Sequence, residues 1–110
     1  MSGRPLYAWR EIRTVLASFP KDEQFGITSQ MRRCSTSIAS NIAEGAARQG
    51  DKEFVQFVHI ALGSAAQLET QLVIAREVGL GDEAAVNKLD PELTKIRHML
   101  RGLVRSLKAI

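Results

Sequence analysis

The chain has 110 residues, 45% of them hydrophobic and 25% charged, with a formal net charge of +3. That is enough for one domain, residues 1–110, burying roughly 65% of its unfolded surface. No apolar run approaches the ~20 residues that span a bilayer, MSGRPLYAWRE lacks a secretory core, and a single cysteine forms no internal disulfide. These features exclude a membrane protein and a disulfide scaffold and point to the cytoplasm.

The net charge is unevenly spread. Residues 1–50 hold seven Lys/Arg against four acids, residues 51–90 three against seven, and residues 91–110 five against one. Such alternation fits a basic surface for nucleic acid. It fits equally well basic helices docking on an acidic one, within or between subunits.

Taken in order, residues 4–17 read as a short first helix. Pro5 suits its first turn, and Leu6, Trp9, Ile12 and Leu16, with Val15 beside them, share a face. Phe19 before Pro20 is biased away from helical dihedrals and ends it. The connector continues to Gly26, with Phe19 and Phe25 expected as plugs beneath the bundle. A second helix follows over 27–48. Ile27, Met31, Cys34, Ile38, Ile42 and Gly45 form its core stripe, while Arg33, Ser37, Asn41, Glu44 and Arg48 recur on the opposite side. Its many Ser, Ala and Gly residues suit a close helix–helix approach.

The third helix is expected to begin at Asp51 as N-cap and to end at Gly79 or Gly81, about 28 residues and ~42 Å on. Phe54, Val58, Ala61, Ala65, Leu68, Leu72 and Ala75 make an unbroken heptad seam. Gln56, His59, Gly63, Ala66 and Thr70 form a second, small and weakly polar stripe. Gly63 there suggests a close approach by another helix of the chain or by a neighbouring subunit. Residues 82–86 begin a further helical piece, which Asp90-Pro91 is expected to interrupt, with Asp90 capping and Pro91 opening the last helix. Leu93, Ile96, Leu100, Leu103, Leu107 and Ile110 form the final seam. With no convincing strand, the pattern predicts an all-α fold: an elongated, antiparallel, up-and-down four-helix bundle.

Three blocks carry a resemblance: FPKDEQFGITSQMRR, SIASNIAEGAAR and KEFVQFVHIALGSAAQLETQL. In this order they resemble the bacterial four-helix-bundle family of intervening-sequence proteins, named for reading frames within inserts in large-subunit rRNA genes. The resemblance covers about residues 8–107. It implies a homopentameric ring of four-helix bundles, and a kinship with the accessory variability proteins of diversity-generating retroelements, which engage a reverse transcriptase and nucleic acid. Compared with the family pattern, the first helix is short, Ala39 stands where proline is common, and Pro91 falls in a region usually continuous.

Chemistry is sparsely supplied. Metal sites in bundles need carboxylates and histidines at i, i+3 on inward faces, and neither His59 nor His98 follows a Glu by three. Cys34 sits on the core stripe, where a structural thiol is the rule. There is no phosphate loop between strand and helix. The expectation is a protein that is not an enzyme and has no metal, cofactor or small-molecule substrate.

Two groups remain as candidate sites. Arg97, Arg101, Arg105 and Lys108 follow steps of four, four and three, a basic stripe suited to phosphate contacts that a ring would multiply. With six aromatic residues, most expected in the core, any RNA contact would be backbone-directed and salt-sensitive. Arg33, Asn41, Glu44, Arg48 and Glu69 are expected to form a polar assembly cluster that sets helix register or subunit pairing. The favoured expectation is therefore a non-catalytic homo-oligomer binding RNA, or an RNA–protein complex, through repeated basic faces. The alternative is a protein-interaction or scaffolding module whose basic helix is used in subunit contacts.

Overall fold

The computed structural model describes residues 4–19 and 26–108, with side chains excepted at 4–9 and 11. Four helices follow one another: α1 (Arg4–Ala17), α2 (Ile27–Ala46), α3 (Asp51–Glu77) and α4 (Glu83–Lys108). Each packs on its chain neighbours and α1 closes the cycle on α4, leaving α1 and α3, and α2 and α4, on the diagonals. This is the up-and-down bundle that the seams predict. Its extents of 46 × 24 × 21 Å make it a rod rather than a sphere.

The core is the column where the stripes meet. Met31, Val58, Leu68, Leu72, Leu93, Ile96 and Leu100 are all but sealed from solvent. Each such side chain contributes about 1.5–3 kcal/mol by leaving water. Ile12, Val15, Leu16 and Phe19 close the bundle from the α1 side. The expected contributions of Leu6, Trp9, Phe25 and Ile110 lie outside the described residues and side chains.

The predicted break at Pro91 does not occur. Pro91 lies inside an unbroken α4 with its ring exposed to solvent. A proline in a helix interior forfeits one backbone bond and crowds the preceding turn, at ~3 kcal/mol. Val86 and Leu89 before it, and Leu93 and Ile96 after it, are sealed in one continuous seam. Their burial outweighs that local cost. Asp90 is accordingly no cap: its carboxylate pairs with Arg76 at 3.4 Å and its carbonyl accepts from the Thr94 hydroxyl. Further along, the seam steps from Leu100 to Val104, leaving Leu103 and Leu107 half-buried at its edge. A helix of 3.6 residues per turn drifts against a strict heptad, so the four-residue step follows the core.

The helix ends show why the bundle turns where it does. Gly50, not Asp51, occupies the N-cap of α3, and Asp51 falls in the first turn beside Glu53. Both acids there complement the helix dipole. At the other end, Leu80 N donates to Ala75 O at 2.8 Å and Gly79 N to Arg76 O at 3.2 Å, with Gly79 at φ 73°. That is the paired-bond termination which a left-handed glycine permits. Asp82 then caps α4, accepting from Ala84 N at 3.0 Å, and its own N–H donates to the Ser18 hydroxyl at 2.7 Å. Gly81 is doubly required, by φ 78° and because any Cβ would collide with the Phe19 ring.

α2 and α3 come close at Gly45, where a Cβ would stand 2.7 Å from Phe57 Cβ and 2.8 Å from Phe54 Cδ1. Gly63, by contrast, meets nothing within 4 Å. Among the described residues nothing covers the second α3 stripe, whose Gln56, His59, Gly63, Ala66 and Thr70 are all exposed.

Candidate nucleic-acid interface

On α4, the stripe of four cations divides. Arg97 turns towards α3 and lies 2.9 Å, Nε to Oε1, from Glu69, with side chains 34% and 22% exposed. Both atoms are shut off from solvent although the N–H is not aligned for a hydrogen bond. Arg97 is thus committed to an ion pair within the bundle and leaves the outward stripe, a correction to the reading by spacing. Arg101, Arg105 and Lys108 are exposed, with no acidic partner among the described residues. Together with Arg76–Asp90, the Glu69–Arg97 pair docks α4 on the acidic third helix within one chain.

The predicted polar cluster is dispersed rather than gathered. Arg48 Nη2 meets Glu44 at 2.6 Å, with Glu53 at 3.9 Å and the Phe57 ring centroid 5.1 Å away. This group lies at the α2–α3 turn with its side chains about half exposed, and such surface pairs contribute ~0–1 kcal/mol. Asn41 Nδ2 donates to Ser37 O at 2.8 Å and Ser37 Oγ at 3.0 Å, and Ser37 Oγ meets Ser64 Oγ at 2.8 Å. This hydroxyl pair joins α2 to α3 halfway along. Glu69 goes to α4. Arg33 stands exposed on α2 with no acid beside it. A helical wheel gives each residue's angle, but not which neighbour supplies its partner. Within one chain the five residues therefore do not all meet, although Arg48 and Glu44 do pair.

Spacing arguments also missed a site. Between α2 and α3 lies a cleft of about 350 Å³ lined by Gln30, Arg33, Cys34, Ser37, Ser64, Gln67 and Gln71. Cys34 is buried, as its stripe predicts, and its thiol donates to Gln67 Oε1 at 3.6 Å. Gln71 Oε1 is buried with no partner among the described residues, a condition that costs ~1–3 kcal/mol for a polar atom. Across the ridge of Arg33 and Ser37, a shallower concavity of about 460 Å³ is lined by Ser29, Arg32, Arg33, Thr36, Ser37 and Ser40. Neither lining includes an acid. The signal was present in the sequence: from Gly26 to Ala43 there is no Asp or Glu, while Arg32 and Arg33 stand side by side.

The remaining chemistry is thin. His59 and His98 are exposed, and no group of three potential metal ligands gathers among the described residues. None of their helices is long and apolar enough to cross a membrane.

Fold and surface thus define a four-helix bundle with basic patches on two separate helices. The sequence pattern of the 23S rRNA-intervening sequence proteins matches residues 8–102, and the chain belongs to that family. In overall structure it is similar to a protein of unknown function from the S23 ribosomal protein family of Bacteroides thetaiotaomicron VPI-5482. The TM-score is 0.75 at 20% identity, covering 91% of this chain and 90% of that one, a likeness of fold. No curated protein matches the chain.

Proposed function

We propose that this is a non-catalytic, cytoplasmic, homo-oligomeric bundle that binds RNA, or an RNA–protein complex, through repeated basic faces. The observation that carries the RNA reading is the exposed, unpaired trio Arg101, Arg105 and Lys108 on one side of α4. Cations so placed contact phosphates without reading sequence, and repetition in an oligomer adds weak contacts together.

Self-association is supported by the outer face of α3. Ile74 is 49% and Val78 64% exposed, four residues apart on one flank, with Ile60 51% exposed further up that flank and Gly63 opening the face for close approach. Exposed apolar side chains of this size on a surface helix mark a contact site. The pentameric ring implied by the family resemblance would use such a surface. The alternative reading, a scaffolding module with no nucleic-acid role, draws on this face alone.

The test is binding of a short single-stranded RNA at several salt concentrations to wild type and to a variant with Arg101, Arg105 and Lys108 changed to Glu. Wild type is expected to bind more weakly as salt rises, and the triple variant to lose about a hundredfold at low salt. Absence of salt-dependent binding by wild type overturns the RNA reading. Light scattering on the same variant separates the alternative: a smaller mass would assign the basic helix to subunit contacts.

A further inference from the structure

We infer that the ridge of Arg33 and Ser37, with the hollow on each side, is a binding site for a nucleoside phosphate: phosphate on the outer face of α2 and base in the α2–α3 cleft. The inference rests on the RNA-binding reading but not on α4, which lies diagonally across the bundle from α2.

The phosphate half is the outer hollow. Arg32 and Arg33 are exposed with no carboxylate partner among the described residues, whereas Arg48, Arg76 and Arg97 each have a carboxylate within 4 Å. Ser29 and Ser40 line the same hollow as the two arginines. Guanidinium forks and hydroxyls with no competing carboxylate are what a phosphate oxyanion requires. A cation or an acidic-residue binder would find no counter-group here.

The base half is the cleft, whose roughly 350 Å³ falls within the range of small-ligand sites. Its amides are divided between donor and acceptor. The Gln67 carbonyl already accepts from the Cys34 thiol, which leaves its N–H groups for a ligand. The buried Gln71 Oε1 lacks a donor. A nucleobase edge carries both an acceptor and an N–H, and so satisfies both amides. Base edges are free in single strands and not in duplexes, where the deep groove shuts side chains out. The ligand is therefore a single-stranded RNA unit or a free nucleotide.

The test uses the full chain in four forms: wild type, R32Q/R33Q, Q71L, and the α4 triple reversal. Each is titrated with a fluorescent single-stranded RNA across salt concentrations, and separately with AMP, with thermal melts alongside. R32Q/R33Q is expected to weaken RNA binding about tenfold and to flatten the salt slope by one to two. Q71L is expected to weaken it several-fold with an unchanged slope and no loss in melting temperature. If both α2 variants bind as wild type while the α4 reversal abolishes binding, this inference is overturned and the RNA reading stands. AMP binding that depends on Arg32, Arg33 and Gln71, without RNA binding, supports the site, assigns it to free nucleotides and overturns the RNA reading. No binding of either probe by wild type overturns both.

Discussion

Two arginines flank α3 from opposite sides and meet different fates. Arg97 comes from α4 and finds Glu69; Arg33 comes from α2 and finds the amides of Gln67 and Gln71 across the cleft. One charge is neutralised within the bundle and the other is left for a partner. Each arginine sits at regular helical spacing on its own helix, so spacing cannot separate them. What does is the side chain that the facing helix presents, two residues either way along α3.

Exchanging the two environments tests this contrast. Gln67→Glu gives Arg33 a carboxylate at an exposed position of α3 and converts the α2 side into a copy of the α4 side. RNA affinity is expected to fall about tenfold, ~1.4 kcal/mol, with a shallower salt slope and little change in melting. Titration at two or more salt concentrations measures it. The reverse exchange, Glu69→Gln, releases Arg97. Because that pair is partly exposed, the expected stability loss is about 1 kcal/mol, read by urea denaturation. The freed cation is expected to steepen the RNA salt slope by about one. Arg48→Ala is the small control: its carboxylate partners are half-exposed, so stability should change by ~0.5 kcal/mol and RNA affinity should be unchanged. A large effect of Arg48→Ala on RNA binding would break the contrast, because a paired arginine would then be acting as a free one.

The helices were legible because burial follows periodicity. The α3 seam from Val58 to Ala75 is buried as predicted, and a straight helix offers no other way to hide it. Pro91 was misjudged because a local rule competed with a tertiary gain that local sequence does not display. The Asp51 cap was misplaced by one residue for a similar reason: Gly50 reaches the extended N-cap geometry, with φ −128° and ψ 148°, without a side-chain bond. Site legibility was lower. The exposure of Arg101, Arg105 and Lys108 follows from their stripe, but the partners of Arg97, Arg48 and Arg33 depend on which helices adjoin, and that is decided by the bundle as a whole. The acid-free run from Gly26 to Ala43 was the one clue to the α2 site, and it is a property of composition rather than of period.

The junction of Ser18, Phe19, Gly81 and Asp82 bears on the order in which the bundle assembles. α2 with α3, and α3 with α4, close as hairpins over connections of only a few residues. The hydrogen bond from Asp82 N to Ser18 Oγ instead joins residues 64 apart in sequence. Loop-closure entropy makes contacts of that separation slow to form. On loop-closure grounds the contacts of α1 with α4 are expected to form after the two hairpins, which makes α1, the shortest helix, the clasp of the bundle. Its release would uncover the α4 flank while leaving the α2–α3 cleft assembled.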